Sequence, residues 1–217
     1  MSDISSKPHE PIHTTIILQI FVARSEATVY NILMVKKISP VYILGLMTSI
    51  KAHFMLIAIY IAQLVLFDAS KLIPPETVKE RWISVACLAV LCALIAYLAK
   101  INPKNNNLHK LLIFGLATVD TVFAAHNVYM TRGMASRAVL LFVVPLIVIA
   151  MLMSLSALLL TATICVAVYI TTAVSYFVNN FNEGYKVELY GEVGFYSAML
   201  YVVAFLLWAV VKNRKVL

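Results

Sequence analysis

The chain has 217 residues, of which 62% are apolar and only 12% are charged, and its formal net charge is +7. Soluble domains are about 45–50% apolar and about 25% charged, so this composition, with a mean hydropathy of +0.92, excludes an ordinary soluble globular protein. The positive charge does not require a nucleic-acid partner, because basic residues of membrane proteins report their orientation in the bilayer. Apolar stretches of about 20 residues, enough to cross a bilayer, recur along the chain. We therefore predict an all-α, polytopic integral membrane protein with the lipid bilayer as a partner.

The first 40 residues are predicted to lie outside the membrane core. Residues 1–11 contain two prolines and two acidic residues and are expected to be disordered. The apolar segment 12–40 is interrupted near its middle by Arg24 and Glu26, and charges at mid-depth in a bilayer are costly. An interfacial amphipathic helix, anchored by Lys36 and Lys37, fits this pattern better than a membrane span.

Residues 41–211 are predicted to form a six-helix transmembrane domain, with spans near 41–67, 82–99, 111–131, 138–153, 157–178 and 193–211. The run from Ala138 to Val178 has no charged residue and is roughly twice the length of one span. We therefore expect it to fold back on itself near Ser154, and we expect Pro145 to kink the fourth span. Residues 212–217 form a basic tail.

Lysine and arginine placement predicts the orientation. If the amino terminus is cytoplasmic, eleven of the 17 Lys and Arg residues lie inside and six lie outside, which agrees with the positive-inside rule. Six spans then return the carboxyl terminus to the same side. We predict a multi-pass protein of the cell inner (cytoplasmic) membrane with both termini cytoplasmic and the turn 131–137 outside.

Asp120 is the strongest candidate for a functional residue, because an aspartate near the middle of a span is energetically expensive. On an α-helix, Asn127 and Thr131 lie on the same face as Asp120 and extend a polar stripe toward the exterior turn. Lys51 and His53 on the first span could reach such a polar partner, although snorkelling explains Lys51 more simply. The alternative is that Asp120 lies at a wet interface and only packs helices together.

The exterior turn TRGMASR (131–137) provides the remaining candidate ligand-binding residues, namely Thr131, Arg132, Gly133, Ser136 and Arg137. Its two arginines could bind lipid phosphates or an acidic ligand, or could act only as topology anchors. No nucleotide-binding loop, HExxH motif or paired CxxC motif occurs, so nucleotide hydrolysis and zinc chemistry lack their usual groups. We predict neither catalytic residues nor a metal.

Part of the chain, residues 111–211, resembles the membrane-embedded input domain of six-helix sensor histidine kinases, similar to the redox-responsive and pilus-regulating sensors. The residues that carry the resemblance, in order, are Asp120, Tyr129, Thr131, Gly133, Ser136, Leu141, Pro145, Ala162 and Tyr169. Arg132 and Arg137 stand where that family has a glycine and a proline, and the proline-containing turn is tied to quinone recognition in the redox branch. We therefore predict no cofactor.

The chain carries no phosphoacceptor-histidine helix and no ATP-binding motif, so the resemblance implies either an input module of a longer protein or a stand-alone relative. We expect a non-enzymatic sensory or regulatory module that reads a membrane-proximal or lipid-soluble signal and passes it to a cytoplasmic partner. It is expected to act as a homodimer or with a membrane-protein partner. Two alternatives stay open: a structural or accessory subunit of a membrane complex, and a small proton- or cation-coupled transporter that uses Asp120.

Overall fold

The structure is a computed structural model that describes residues 43–71, 74–131, 133, 136–152, 154–180 and 188–213. The predicted disordered segment 1–11, the predicted interfacial segment 12–40 and most of the basic tail 212–217 lie outside these residues. All regular secondary structure in the described part of the chain is helical, which confirms the predicted all-α class.

Six α-helices follow one another along the described chain: α1 (Ile43–Ala69), α2 (Pro75–Ile101), α3 (Asn106–Met130), α4 (Val143–Ala150), α5 (Leu155–Asn179) and α6 (Glu188–Asn213). Five of them, all except α4, are long and apolar enough to cross a membrane. A 3₁₀-helix at Arg137–Phe142 leads directly into α4, and the two together form a shorter apolar segment, Arg137–Ala150. The described chain is therefore helical, and five of its helices have the length and apolar character that suit a membrane.

Local sequence explains where several helices begin. Pro75 opens α2 at the first helical position, where a proline is tolerated because that N–H has no acceptor within the helix. The side chains of Asn105 and Ser154 accept hydrogen bonds from the backbone N–H of Leu108 (3.0 Å) and Ala157 (3.3 Å) and so cap α3 and α5. Asn and Ser are favoured at this position because each satisfies a free N–H of the first turn.

The fourth segment, predicted as a span near 138–153 with a kink near Pro145, consists of the 3₁₀-helix Arg137–Phe142 followed by α4. The α-helix begins only at Val143, so Pro145 lies in its first turn, just after the 3₁₀-helix. The change from 3₁₀ to α geometry therefore lies within one turn of Pro145. The chain leaves α4 after Ala150 and starts α5 at Leu155, at the position predicted for the turn.

Side-chain pairs determine the relative directions of the helices. His53 contacts Asp120 and Tyr60 contacts Asn127, both at a separation of 67 residues, so α1 and α3 are parallel. In the same way, Thr121 lies beside Cys165, and Tyr129 packs against Tyr176, so α3 and α5 are parallel.

Helix α6 runs in the opposite direction to α5, because Thr163 contacts Tyr201 whereas Tyr169 packs against the earlier residue Tyr196. Helix α3 contributes to both hydrophobic clusters of the described chain: one joins it to α1, α2 and the end of α4, and the other joins it to α4, α5 and α6. This central position puts the polar face of α3 inside the protein.

Candidate functional site

The predicted polar stripe lies on the buried side of α3. Asp120 and Asn127 are each only 3% exposed, and Thr131 follows at the end of the helix. Because a polar group in a lipid environment must find a partner within the protein, the contacts of these side chains define the candidate site. Their partners lie on α1 and in the turn after α3.

Asp120 pairs with His53 on α1. The Nε2 atom of His53 lies 2.9 Å from both carboxyl oxygens of Asp120, and both side chains are 3% exposed. On the other side of the ring, Nδ1 lies 2.7 Å from the backbone carbonyl of Ser49, one turn earlier in α1. The imidazole therefore connects the backbone of α1 to the side chain of α3.

These contacts restrict the protonation of the pair. A carbonyl oxygen can only accept, so Nδ1 must carry a hydrogen and donate it to Ser49. Nε2 and the carboxyl group then share one further proton, which lies either on the ring or on Asp120. In both arrangements the pair has no net charge, and this removes much of the cost of burying two ionisable groups in the membrane. The pair can hold α1 against α3, and its two ionisable groups can also exchange a proton.

A second network continues from α1 to the turn. The Tyr60 hydroxyl donates to Oδ1 of Asn127, and Nδ2 of Asn127 donates to the backbone carbonyl of Phe123 at 2.8 Å. The Thr131 hydroxyl donates to the carbonyl of Asn127 at 2.6 Å and also contacts the hydroxyl of Ser136. Ser136, Thr131, Asn127 and Tyr60 thus form a continuous chain of contacts, which we call the turn–α1 network.

The turn itself is held by packing and by its backbone. Gly133 has φ +57° and is buried; a Cβ at this position would lie 2.9 Å from the Cβ of Tyr176 on α5. Both the left-handed backbone and the close approach favour glycine. Ser136 is buried and caps the 3₁₀-helix by accepting from the N–H of Ala138 at 3.0 Å. The turn is therefore docked against α5.

The structure brings together only part of the predicted ligand-binding set. Asn127, Thr131, Gly133 and Ser136 lie together at the turn, since the N–H of Ser136 also donates to the carbonyl of Gly133 at 3.1 Å. Asp120 instead pairs with His53 deeper in the helix bundle. Arg137 is exposed at the start of the 3₁₀-helix, and Arg132 lies outside the described residues.

Sequence reasoning identified His53 as a possible partner of Asp120 but missed Tyr60. The spacing of the residues could have indicated Tyr60. His53 and Tyr60 on α1 are separated by as many residues as Asp120 and Asn127 on α3. Lys51 is exposed and does not join the site. His126 lies on a different face of α3, where it lines a cleft toward α2.

The described residues contain no group of three or more His, Cys, Asp or Glu side chains that could hold a metal ion. The chemistry that the site does offer is hydrogen bonding and the exchange of a proton at the His53–Asp120 pair. Comparisons of the chain with models of protein families, with curated proteins and with solved structures find no match.

Proposed function

We propose that this protein is a non-enzymatic sensory or regulatory module of the inner membrane. In this proposal it reads a membrane-proximal or lipid-soluble signal at the exterior turn and passes it to a cytoplasmic partner, acting as a homodimer or with another membrane protein. The observation that carries the proposal is the turn–α1 network. Because Ser136 connects through Thr131 and Asn127 to Tyr60, a change in the turn has a direct route to α1.

The proposal includes six membrane crossings with both termini in the cytoplasm, and the helix directions support it. Thr121 lies beside Cys165, so the start of α5 at Leu155 is about level with Leu111 when both helices rise about 1.5 Å per residue. Between the end of α3 at Met130 and the start of α5 at Leu155, the chain must therefore travel back along α3 by roughly 28 Å. This distance is close to the ~30 Å thickness of a hydrocarbon layer. A fourth crossing by the segment Arg137–Ala150 accounts for that return.

The signal proposed for the turn is an anionic group, such as a lipid phosphate. Arg137 is exposed and follows directly after Ser136, which is buried and belongs to the turn–α1 network. An anion bound by the Arg137 guanidinium would therefore act directly beside Ser136, which is a member of that network. Arginine suits this role because its planar fork binds phosphate in a bidentate manner.

The experiment uses the full chain in nanodiscs, with spin labels at Lys51→Cys on α1 and at Lys104→Cys before α3, both exposed positions, in a Cys87→Ser background. We expect the distance distribution to shift when phosphatidylglycerol replaces phosphatidylcholine. The shift should disappear in Arg137→Gln and in Ser136→Ala, and it should persist in the control variants Lys79→Gln and Ser156→Ala, whose side chains are exposed outside the network. A shift that survives Arg137→Gln, or no shift at all, would contradict the sensory proposal.

The His53–Asp120 pair favours a second candidate, a small proton- or cation-coupled transporter. The pair is buried and shares a proton between two helices, and intramembrane ionisable residues often mark proton relays. Proteoliposomes with an internal pH-sensitive dye test this candidate. Flux that is lost in Asp120→Asn but kept in Arg132→Ala would favour transport, whereas equal, background-level flux in both variants and the wild type would eliminate it.

A further inference from the structure

A second site lies away from the turn, in a cleft between α2 and α3. The cleft has a volume of about 540 Å³ and is lined mainly by apolar side chains of the two helices, among them Leu91 and Val122. Val122 is 64% exposed, so the cleft opens on the outer surface of the helix bundle. In a membrane that surface faces lipid.

The lining of the cleft changes along its length. Glu80 lies near the start of α2, Ser84 and His126 lie about one turn deeper, and Leu91 and Thr118 form the far end. From Glu80 to Leu91 the cleft extends roughly 16 Å along α2 at 1.5 Å per residue, about half of a ~30 Å hydrocarbon layer. It therefore spans about one leaflet, with its polar end at the membrane surface.

His126 lines the cleft, and one of its ring nitrogens is buried. Its Nε2 atom is buried and has no hydrogen-bond partner among the described residues. A buried polar atom without a partner is unfavourable. If the imidazole ring turns toward the cleft, Nε2 reaches the cleft surface and gains a partner from a ligand that brings a hydrogen-bond acceptor to this depth. The acidic side chain of Glu80, one turn closer to the surface, adds a preference for a cationic group there.

We propose that the cleft binds one chain of a phospholipid with an ethanolamine head group. The acyl chain would lie against Leu91 and Val122, an ester carbonyl would accept a hydrogen bond from Nε2 of His126, and the ammonium group would donate to Glu80. This order of chain, ester and amine matches the order of apolar, neutral-polar and acidic residues along the cleft. The site faces α2, whereas the turn packs against α5, so the proposal does not rest on the sensory role.

Native mass spectrometry of the full chain in mild detergent tests the proposal directly. The protein is titrated with phosphatidylethanolamine, phosphatidylcholine and phosphatidylglycerol that carry identical acyl chains. We expect binding in that order of strength, because only ethanolamine offers both a positive charge and N–H donors. The expected preference for ethanolamine over choline is about fivefold, the scale of one charge-assisted hydrogen bond at an exposed site.

Two variants separate the contributions of the head group and the ester. Glu80→Gln should remove most of the preference for ethanolamine, while Glu76→Gln, an exposed acid of the same helix outside the cleft, should leave it unchanged. His126→Phe should weaken all three lipids alike, because they share the ester. If His126→Phe does not fold, Glu80→Gln still decides the question, since its side chain is exposed.

Three results would overturn the proposal. The first is equal binding of the three lipids to the wild type, and the second is an ethanolamine preference that survives Glu80→Gln. The third is efficient disulfide cross-linking of two copies through Cys87, which lines the cleft and is exposed, because a second copy would then occupy this face instead of a lipid.

Discussion

His53 and Asp120 join α1 to α3 through a ring whose two nitrogens are both engaged. Nε2 lies 2.9 Å from each carboxyl oxygen, and Nδ1 lies 2.7 Å from the carbonyl of Ser49. Because the Ser49 carbonyl can only accept, the ring cannot rearrange its protons freely. The effect of replacing Asp120 therefore depends on whether the new side chain can donate a hydrogen bond to Nε2.

Asp120→Asn should destabilise the protein by less than about 1 kcal/mol, since the amide N–H₂ can donate to Nε2 of a neutral imidazole. Asp120→Ala leaves Nε2 buried without a partner and should cost about 1–3 kcal/mol. Unfolding in mixed micelles by added dodecyl sulfate measures both free energies. The same two substitutions at Asp68, which is exposed near the end of α1, serve as controls and should be nearly equal. Equal destabilisation by Asn and Ala at position 120 would show that the hydrogen bond to His53 is unimportant.

Glycine substitutions should have opposite effects at two positions. Gly133→Ala combines a left-handed backbone with a Cβ only 2.9 Å from that of Tyr176, and we expect a loss of stability of about 1–3 kcal/mol. Gly115→Ala lies within α3 with no other atom of the described chain near the new Cβ, and it should stabilise by about 0.5–1 kcal/mol. Thermal unfolding in detergent compares the two variants. A neutral Gly133→Ala would mean that the turn does not pack against α5 as described.

Six crossings make a specific prediction for labelling from the two sides of the membrane. Single cysteines at Ser70, Arg137 and Asn180 should react with a membrane-impermeant maleimide on one side, and those at Lys104 and Ser154 on the other. The reason is that α1, α3 and α5 are parallel, so their ends must share a side. In a Cys87→Ser background the remaining native cysteines, Cys92 and Cys165, are buried and should contribute little background. Labelling of Arg137→Cys and Ser154→Cys from the same side would mean that the segment Arg137–Ala150 does not cross.

The polar stripe on α3 could be predicted from the sequence because helical periodicity alone puts Asp120, Asn127 and Thr131 on one face. Its partners on α1 were harder to predict. His53 is polar and was a visible candidate, whereas Tyr60 has the large apolar ring of an ordinary membrane residue, and only its spacing from His53 matches that of Asn127 from Asp120. Which helix faces α3 depends on tertiary packing, and no local pattern encodes it.

The fourth segment shows a different limit of sequence reasoning. The sequence predicted a span with a kink near Pro145 but not the 3₁₀-helix, capped by Ser136, with which the segment starts. The turn just before this 3₁₀-helix is docked on α5, where Gly133 fits closely against Tyr176. That contact joins residues far apart in the sequence and could not be anticipated from the turn alone.

The most direct test of the central claim is a double-mutant cycle between the turn and α1. Ser136→Ala and Tyr60→Phe each remove one hydroxyl from opposite ends of the turn–α1 network, and the two residues are linked through Thr131 and Asn127. If the network transmits a change from the turn to α1, their effects on the free energy of unfolding in mixed micelles should be coupled by at least about 0.5 kcal/mol. Additive effects, within experimental error, would contradict the proposed route of the signal.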